Sequence, residues 1–395
     1  MSSNKKFEIA VVGRGMMGSS AAKNLAKLGV SVIIFGPDEP KDKSIHKGVF
    51  GSHYDSSRIT RILDRNPYYA KISAYSISRY RELETISGIK FFHDVGQITV
   101  SGMHPYLDEL TDCAISNDLN YSILDEKSLI SKFPYLHFQK GMTGIYEKKT
   151  AGYIDPRMFI NAQCNALKIF GGDVVEETVI KIKDNNGKYT IFTNNNNQYK
   201  CDKILIATGS FANHFGIIPK KISIDIAEHT VLLSEISNQT ANILSSMPSI
   251  IYHKTEHIKG GVYIMPPIKY PDGIVRIKIG QSRGHSMYNP GKNLIPWFQG
   301  DGDLEIGQWL KSELSSILPG IEFLSTKLES CVTTKSKSGY QFIDKFEGTE
   351  IYSCLVGEGQ AAKSSDEIGR IAAHKIIHGK VPEEYSGIDF KNEYQ

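Results

Sequence analysis

Three glycines near the start of the chain have the spacing of a phosphate-binding turn. Gly13, Gly15 and Gly18 form a Gly-x-Gly-x-x-Gly pattern whose fourth and fifth positions are Met16 and Met17. Gly13 permits a tight turn, Gly15 lets the backbone approach a pyrophosphate, and Gly18 lets a helix pack closely on a strand. The N-terminus of that helix also favours an anion. The pattern therefore predicts dinucleotide binding and does not separate FAD from NAD.

The position that usually binds the ribose of the dinucleotide holds a glycine. The second strand of such a unit normally ends in Asp or Glu, which accepts hydrogen bonds from the ribose hydroxyls, and here Gly36 stands there. Asp38 and Glu39 follow closely. Two interpretations stay open: one of these carboxylates reaches the ribose, or both only end the strand.

Two arginines lie in a segment rich in small polar residues, at 51–61. Arg58 and Arg61 are three residues apart, and on a helical turn they would share a face. An arginine can bind a carboxylate through two parallel hydrogen bonds. The segment is therefore either a binding element for a carboxylate or a flavin edge, or a solvated loop.

Strands and a helix are predicted around the glycine motif. Residues 7–12 and 30–35 are apolar, β-branched runs, and residues 19–28 have helical spacing, which together indicate a βαβ unit. Further β-rich runs are separated by Asn- and Gly-rich turns that favour hairpins, at residues 174–182, 189–193 and 204–207. A strand, loop and helix pattern returns near the end of the chain, at 351–378. Loops are expected at Met265–Pro267 and Asn289–Gly291.

Length and composition are those of an ordinary two-domain protein. The 395 residues are 40% hydrophobic and 23% charged, with a formal net charge of +3, which gives no indication of nucleic-acid binding. The sequence has neither an apolar run of about 20 residues that could span a bilayer nor the apolar core of a signal peptide. Five separated cysteines without a Cys-x-x-Cys pair indicate neither a disulfide framework nor a zinc site. We expect a cytoplasmic protein without a metal or a membrane partner, and a monomer fits the sequence.

From residue 51 onward the sequence resembles a known family. Residues 51–61 are similar to the pattern Gly-Ser-His-His-Gly-Asp-Thr-Arg-Ile-Ile-Arg of the monomeric sarcosine oxidase group, which belongs to the D-amino-acid oxidase superfamily and includes N-methyltryptophan oxidase and pipecolate oxidase. The matching residues are Gly51, Ser52, His53, Arg58, Ile59 and Arg61. The resemblance covers nearly the whole chain. It implies a flavoenzyme that holds FAD and oxidises the C–N bond of a small amine or amino acid, with O₂ as acceptor and H₂O₂ as product.

Two later blocks of the resemblance concern the cofactor and its reoxidation. Cys331-Val-Thr-Thr, with Asp344 downstream, is similar to a Cys-Met-Tyr-Thr block whose cysteine carries FAD covalently; an ordinary buried cysteine is the alternative. The strand around Lys278, with Tyr263 before it, is similar to the strand whose lysine activates oxygen beside the flavin. Fixed positive charge there would stabilise the reduced ring and superoxide. Lys278, Arg58 and Tyr263 are therefore the expected catalytic residues.

A third block of the resemblance concerns the substrate. Gly357-Glu-Gly359, followed by Lys363, resembles a Gly-His-Gly loop whose downstream lysine binds the substrate carboxylate. Arg61 and Lys363 would form that cationic clamp. Tyr54 and Glu358 each replace a histidine of the family pattern, and we expect both to contact the substrate. Glu358 would favour a substrate with a second positive group, unless it turns to solvent or pairs with Lys363.

The resemblance implies an α/β fold in two parts. We expect an FAD/NAD(P)-binding Rossmann-type domain from residues 5–92, 153–221 and 336–381, and an α+β substrate domain on a mixed, largely antiparallel sheet from 93–152 and 222–335. Residues 382–395 are expected to be a C-terminal tail. The expected cofactor-binding residues are Gly13, Gly15, Met16, Met17, Gly18, Gly36, Ser52, His53, Ser57, Arg58, Ile180, Thr208, Gly209, Cys331, Gly357, Gly359 and Lys363.

Other functions fit single features of the sequence. A dehydrogenase that passes electrons to another acceptor would reuse Lys278, and an NAD-linked reductase would use the same glycine motif. Gly280-Gln-Ser282-Arg-Gly284 fits the nucleophile elbow of a serine hydrolase, but the elbow needs a helix directly after the serine, and a turn-rich stretch follows. His253 and His257 have the spacing of a metal-binding pair without a third ligand nearby, and are interpreted as surface residues.

Overall fold

The computed structural model of the protein shows two large sheets flanked by helices, and it describes residues 6–254 and 260–395. The strands are β1 (Lys6–Val12), β2 (Val32–Phe35), β3 (Arg58–Thr60), β4 (Phe92–His93), β5 (Gln97–Ser101), β6 (Tyr121–Leu124), β7 (Thr143–Glu147), β8 (Gly152–Ile154), β9 (Asp173–Val175), β10 (Val179–Asp184), β11 (Tyr189–Thr193), β12 (Gln198–Ile206), β13 (Asp225–Glu235), β14 (Ser249–His253), β15 (Val262–Lys269), β16 (Val275–Gln281), β17 (His285–Ser286), β18 (Ser325–Lys335) and β19 (Ile351–Ser353). The helices are α1 (Met16–Lys27), α2 (Pro67–Ser78), α3 (Tyr80–Ser87), α4 (His104–Ser116), α5 (Glu126–Lys132), α6 (Pro156–Ile169), α7 (Asn238–Ile243), α8 (Pro290–Gln299), α9 (Leu304–Ile317) and α10 (Ala361–His378), with short 3₁₀ helices at Gly209–Phe211 and Glu383–Tyr385.

The first sheet is built around parallel strands. Its order is β10-β11-β12-β1-β2-β9, and β19 pairs with the end of β12. β1 runs parallel to both β2 and β12, so Val12, Phe35 and Ile206 lie side by side. The carboxyl ends of these strands therefore meet at one edge, which is where ligands bind in open α/β sheets. β10, β11 and β12 form the two predicted hairpins.

Helices α1 and α10 pack together on the first sheet. Apolar residues of β1, β2, α1 and α10 form one core, in which Leu25, Ile34 and Ile371 are fully buried. The two helices approach closely at Gly369, where a Cβ atom would lie 2.5 Å from the backbone nitrogen of Ala21. This contact fixes the direction in which α10 runs across the sheet.

A buried ion network also connects α1 to α10. Asp366 accepts hydrogen bonds from Lys23 Nζ (2.6 Å) and Arg79 Nε (2.7 Å), and Glu367 accepts one from Arg79 Nη2 (2.6 Å). Burial opposes the ionisation of Asp366, but Lys23 and Arg79 outweigh it and hold the pKa of this carboxyl well below its usual range. Because loss of one partner would leave a buried charge uncompensated, the network keeps α10 in register with α1.

The second sheet is mixed and largely antiparallel. Its order is β17-β13-β16-β15-β14-β5-β7-β6, with β18 paired to β13, and β14 and β5 are parallel. One face packs against α9 through a core that includes Leu232, Ile277 and Leu310. Side chains alternate along β15 and β16, so Tyr263 and Lys278 share the opposite face. That face turns toward the carboxyl edge of the first sheet.

The predicted α/β fold class, with a Rossmann-type sheet and a mixed, largely antiparallel second sheet, is confirmed. The domain limits stay a prediction. Within residues 382–395, Tyr385 and Phe390 are buried in the core of the first sheet, so this segment packs against the protein. None of the described helices is long and apolar enough to cross a lipid bilayer.

Two predicted loops are wrong. Met265–Pro267 lies within β15, where the pairing with β16 shifts between Met265 and Ile268. Such an irregularity accommodates prolines, which cannot donate a ladder hydrogen bond. Pro290 is the first residue of α8, a position where the missing N–H of proline costs little.

Candidate active site

A cavity of about 580 Å³ extends from the carboxyl edge of the first sheet to β15 and β16. Its volume lies in the usual range of cofactor and substrate sites. The glycine motif lines one part of the cavity, and Arg61, Tyr263 and Lys363 line another. The cavity therefore connects the turn predicted to bind a dinucleotide with residues predicted to act on a substrate.

The glycines of the motif serve two different purposes. Gly13 has a φ of 116°, which glycine adopts readily, and a Cβ on Gly18 would lie 1.9 Å from the carbonyl oxygen of Gly13. A Cβ on Gly15 would have His53 Nδ1 as its nearest described neighbour, at 3.8 Å. Gly13 and Gly18 are thus required by the fold, whereas Gly15 keeps space open in the cavity.

Two helices begin at the cavity without a side-chain cap. The N-cap residues are Gly15 for α1 and Gln360 for α10, and neither provides a side-chain hydrogen bond to the first turn. Free N–H groups and the positive end of the helix dipole favour an anion or a carbonyl oxygen at these points. Thr208 Oγ1, in the same cavity, is buried and has no hydrogen-bond partner among the described residues. These groups fit the pyrophosphate and the polar ring edge of FAD.

Arg14 explains why the end of β2 carries a glycine. Arg14 Nε donates to Gly36 O at 2.9 Å, and a Cβ on Gly36 would lie 2.5 Å from Arg14 Cβ. Arg14 also pairs with Asp38, while Glu39 forms a 2.6 Å ion pair with Arg157. Both carboxylates are therefore engaged by arginines, which favours the interpretation that they only end the strand.

Ile180 does not reach the cavity, in contrast to the prediction. Its side chain is 41% exposed, whereas Thr178 and Val179 line the cavity. The predicted run 174–182 breaks between β9 and β10, and side-chain alternation along β10 then turns Val179 inward and Ile180 outward.

Residues 51–61 form a loop that leads into β3, so the helical turn proposed for Arg58 and Arg61 is wrong. Both arginines nevertheless line the cavity, as do Ser52 and His53. Burial, and next to it the charge of Arg14, lowers the pKa of His53 to about 3, so that this imidazole is neutral.

Asp55 is a site residue that the sequence analysis missed. Its Oδ2 accepts hydrogen bonds from Arg58 Nε (3.0 Å) and Lys278 Nζ (2.5 Å). Lys278 Nζ also donates to the carbonyl oxygen of Ser57 at 2.6 Å. Burial alone would raise the pKa of Asp55, but Lys278 and Arg58 lower it to about 2, so the carboxylate is ionised. The only signal in the sequence is an acidic residue close to two arginines.

Lys278 and Arg58 differ in their access to the cavity. Arg58 lines it, whereas Lys278 is 1% exposed and does not belong to the described lining. The ammonium of Lys278 lies 5.6 Å from the ring centre of Tyr263, which does face the cavity. Burial lowers the pKa of Lys278 and Asp55 opposes that shift. Ser57 likewise stands behind the lining and contributes its carbonyl group to Lys278.

Cys331, predicted to carry the cofactor covalently, lies in the wall of the cavity, and the covalent link stays a prediction. It is a half-buried free thiol on β18 that lines the cavity. Arg58 Nη2 lies 3.2 Å from Cys331 Sγ. A cationic neighbour of this kind is typical of reactive cysteines.

The two cations predicted to bind a substrate carboxylate lie in the same cavity, and one of them has an unexpected partner. Arg61 and Lys363 both line the cavity. Lys363 is buried, and its Nζ donates to Asp64 Oδ2 at 2.7 Å. Arg61 Nη1 is buried as well and has no hydrogen-bond partner in the described part of the chain. Asp64 is the second carboxylate that the sequence analysis missed.

Glu147 lies behind this clamp. Its carboxylate accepts hydrogen bonds from the backbone N–H groups of Ile62 (3.0 Å) and Leu63 (3.1 Å). Burial raises the pKa of Glu147 to about 7, although these N–H groups and the charges of Arg61 and Lys363 act in the opposite direction. Its ionisation therefore falls close to neutral pH.

Glu358 and Tyr54 have other partners than those expected. Glu358 Oε1 accepts hydrogen bonds from the backbone N–H (2.6 Å) and the hydroxyl (3.0 Å) of Ser336, and burial raises its pKa. The ion pair with Lys363 that was one alternative is not formed, because Lys363 pairs with Asp64. Tyr54 donates to the carbonyl oxygen of Asp38 at 3.3 Å.

The structure does not support the hydrolase or metal hypotheses. Ser282 follows β16 and precedes the short strand β17, so the helix of a nucleophile elbow is missing after it. His253 lines the cavity, and His257 lies outside the described residues. Within residues 6–254 and 260–395, no group of three or more His, Cys, Asp or Glu side chains is arranged to hold a metal ion.

Comparisons with known proteins agree with a dinucleotide-binding flavoenzyme. The family described as FAD dependent oxidoreductase (DAO) matches residues 8–375. Monomeric sarcosine oxidase from Streptomyces avermitilis is 28% identical over 216 residues, which is 52% of each chain, and glycine oxidase from Bacillus licheniformis is 24% identical over 332 residues, 83% of this chain and 80% of that one. The structure of L-proline dehydrogenase from P. horikoshii superimposes with a TM-score of 0.75 at 17% identity, over 97% of this chain and 96% of that chain.

The fold and the cavity thus define an FAD-binding oxidoreductase. The chain belongs to the DAO family of FAD-dependent oxidoreductases, which confirms the family predicted from residues 51–61 and later blocks. FAD is its cofactor, and the uncapped helix starts, the space at Gly15 and the buried Thr208 hydroxyl suit that molecule. The chain spans about half the length, 52%, of the sarcosine oxidase that it matches.

We expect Gly15→Ala to weaken FAD binding at least tenfold while leaving the melting temperature of the apoprotein nearly unchanged. The added methyl group meets no close protein neighbour but occupies cofactor space. Gly18→Ala is the matched control, and it should destabilise the apoprotein because its methyl group would overlap the Gly13 carbonyl. FAD titration and thermal unfolding measure the two effects. An apoprotein destabilised equally by both changes would contradict this assignment.

Proposed function

We propose that the protein oxidises the C–N bond of a small amino acid whose carboxylate binds to Arg61 and Lys363. The observation that carries this proposal is the buried Arg61 Nη1, which has no hydrogen-bond partner among the described residues and lies in the lining of the cofactor cavity. A buried donor without a partner costs free energy, and a bound carboxylate would satisfy it through a charge-assisted hydrogen bond. Sarcosine and glycine, after which two relatives are named, both carry such a carboxylate.

Arg61 contributes more to this attraction than Lys363. The charge of Lys363 is already compensated by Asp64, at 2.7 Å, whereas Arg61 Nη1 has no hydrogen-bond partner among the described residues. Burial lowers the pKa of Lys363, and the carboxylate of Asp64 opposes that shift and holds the ammonium in place. Arg61 is then the principal anchor, and Lys363 orients the carboxylate.

The remaining walls of this part of the cavity favour a neutral substrate side chain. Tyr106, Ile251 and His253 line it, and the rings of Tyr106 and His253 meet edge to face at 5.0 Å. Burial, followed by the charge of Arg61, lowers the pKa of His253 to about 4, so its ring is neutral. Glu358, expected to attract a second positive group, is engaged by Ser336. An apolar or aromatic substituent fits these surroundings better than a cation.

The chain positions a substrate for hydride removal from the carbon next to its amine nitrogen. Bound FAD supplies the hydride acceptor. Arg61 and Lys363 fix the carboxylate end, which holds the reacting carbon at a defined distance from the anchor. Arg58 provides positive charge at the cavity wall. The nitrogen lone pair forms the C=N bond as the hydride leaves, and the resulting imine is hydrolysed by water, so no general base is assigned.

The electron acceptor is either O₂ or another molecule. O₂, giving H₂O₂, is the proposed acceptor, in keeping with the relatives named oxidases. A dehydrogenase that uses another acceptor is the second candidate, and one observation favours it: Lys278, expected to activate oxygen, is bound to Asp55 and lies outside the described cavity lining. In either case Tyr263 covers Lys278 on the cavity side.

We expect neutral L- or N-methyl amino acids to bleach the visible flavin absorbance under anaerobic conditions. Arg61→Met should weaken their binding at least 30-fold, because removing an anchor of a partly desolvated charge pair costs about 2–5 kcal/mol. Glu358→Gln is the control and should change it by less than threefold. Oxygen consumption with the same substrates then distinguishes oxidase from dehydrogenase. Equal losses in both variants would contradict the clamp.

Binding of an amino acid carboxylate should weaken as pH rises through about 7. Glu147 is neutral below its pKa of about 7 and becomes a carboxylate above it, which places a negative charge behind Arg61 and Lys363. A Kd measured for an unreactive carboxylate between pH 5.5 and about 8.5 should therefore rise in the wild-type protein and stay flat in Glu147→Gln. The same slope in both proteins would show that another group is responsible.

FAD should remain attached to the protein through acid precipitation, and Cys331→Ser should release it. Cys331 would hold the flavin through a thioether bond, and a serine hydroxyl is far too weak a nucleophile to form such a link. Cys354 also lines the cavity but is buried, so Cys354→Ser is the control that should keep the flavin bound. Denaturing electrophoresis with flavin fluorescence reads the outcome. Flavin released from the wild-type protein by acid would show a non-covalent site.

A further inference from the structure

We propose that Asp55 is a positioning residue that sets the electrostatic charge of the flavin site: it binds Lys278 outside the cavity and leaves Arg58 as the cation that faces the flavin. This inference rests on the proposed placement of the flavin ring beside Arg58 and Cys331. It does not depend on which substrate the protein oxidises.

The hydrogen bonds of the Asp55 carboxylate hold it in place between Arg58 and Lys278. Its Oδ2 lies between Arg58 Nε and Lys278 Nζ, and its Oδ1 accepts the backbone N–H groups of Ser56 (2.8 Å) and Ser57 (3.4 Å). Asp55 as a whole residue is 8% exposed. Asp55 is thus a fixed, ionised group whose position is determined by the loop backbone and by two cations.

The surroundings of Lys278 provide little other support for its charge. Its backbone neighbours on β13 and β15 are Leu233 and Met265, both apolar. Besides Asp55, the ammonium has a hydrogen bond to the Ser57 carbonyl oxygen. A buried ammonium requires a counter-ion, and Asp55 is the carboxylate in contact with it. Lys278 is therefore held to the loop rather than to the cavity.

Arg58 lies at the boundary between two cavities. It lines the large cavity and also a second cavity of about 310 Å³, and Cys331 does the same. Asp55 lines only the second of these in the described structure. The guanidinium is thus the cation of the cluster with direct access to the cofactor cavity, while Asp55 supports it from behind.

The charges of this cluster add to one positive charge. Lys278 and Arg58 contribute +2 and Asp55 contributes −1. In a low-dielectric interior, a change of one elementary charge alters the electrostatic potential several ångströms away. Removing Lys278 alone would make the cluster neutral, whereas removing the charges of Asp55 and Lys278 together would restore the net charge of +1. If Lys278 contacted the flavin directly, removing the charge of Asp55 as well could not compensate for the loss of Lys278.

The experiment measures the Kd of sulfite, an anion that combines reversibly with oxidised flavin and is stabilised by nearby positive charge. The variants are Lys278→Met, Asp55→Asn/Lys278→Met and, as a control, Arg276→Met. Arg276 is another cation on β16, and it pairs with Asp272 at 2.8 Å. Flavin content and melting temperature are recorded for each holoprotein.

We expect Lys278→Met to weaken sulfite binding at least tenfold, the double variant to lie within about threefold of the wild type, and Arg276→Met to have no effect beyond twofold. A double variant as weak as Lys278→Met would overturn the proposal, because Lys278 would then act on the flavin directly. An unchanged Kd in Lys278→Met would overturn it as well. Should Lys278→Met fail to fold, the sulfite Kd of the double variant decides alone. A value within about threefold of the wild type supports the proposal, and a value at least tenfold weaker overturns it. A protein that binds no FAD would instead contradict the proposed site.

Discussion

Buried positive charge requires a buried counter-charge, and this requirement organises both the cavity walls and the helices that pack on the first sheet. Lys278 with Asp55, Lys363 with Asp64, and Lys23 with Asp366 are three such pairs, and each joins segments more than two hundred residues apart in the chain. Because an unpaired buried ion is strongly destabilising, every pair fixes the relative position of the segments that carry it. The site therefore inherits its geometry from charge compensation as much as from the packing of apolar side chains.

The fold could be predicted well from the sequence where one local pattern determines one element. The spacing of Gly13, Gly15 and Gly18, the β-branched runs beside them and the Asn-rich turns each depend on backbone conformation over a few residues. The loop predicted at Met265–Pro267 is wrong for the same reason. Two prolines indicate a loop locally, and only the pairing with the neighbouring strand shows that they lie at an irregularity within a strand.

The site could be predicted less completely because its partners come from distant segments. The resemblance of 51–61 identified Arg58 and Arg61, but nothing in that segment shows that Asp55 meets Lys278, a residue 223 positions later. The pairing of Asp64 with Lys363, 299 positions later, could not be predicted for the same reason. Ile180 was misplaced by one residue, which in a strand reverses the direction of the side chain. Which carboxylate neutralises which cation follows from the three-dimensional arrangement alone.

The late position of β19 and α10 in the chain has a consequence for biosynthesis. β19 (Ile351–Ser353) completes the pairing of β12, and the start of α10 with Lys363 forms one end of the cavity. A ribosome has made nearly nine-tenths of the 395 residues before either element exists. The nascent polypeptide thus carries the glycine turn for most of its synthesis without the segment that closes the site over its ligand. A chain that ends before residue 351 therefore lacks both β19 and Lys363 and cannot form the complete pocket.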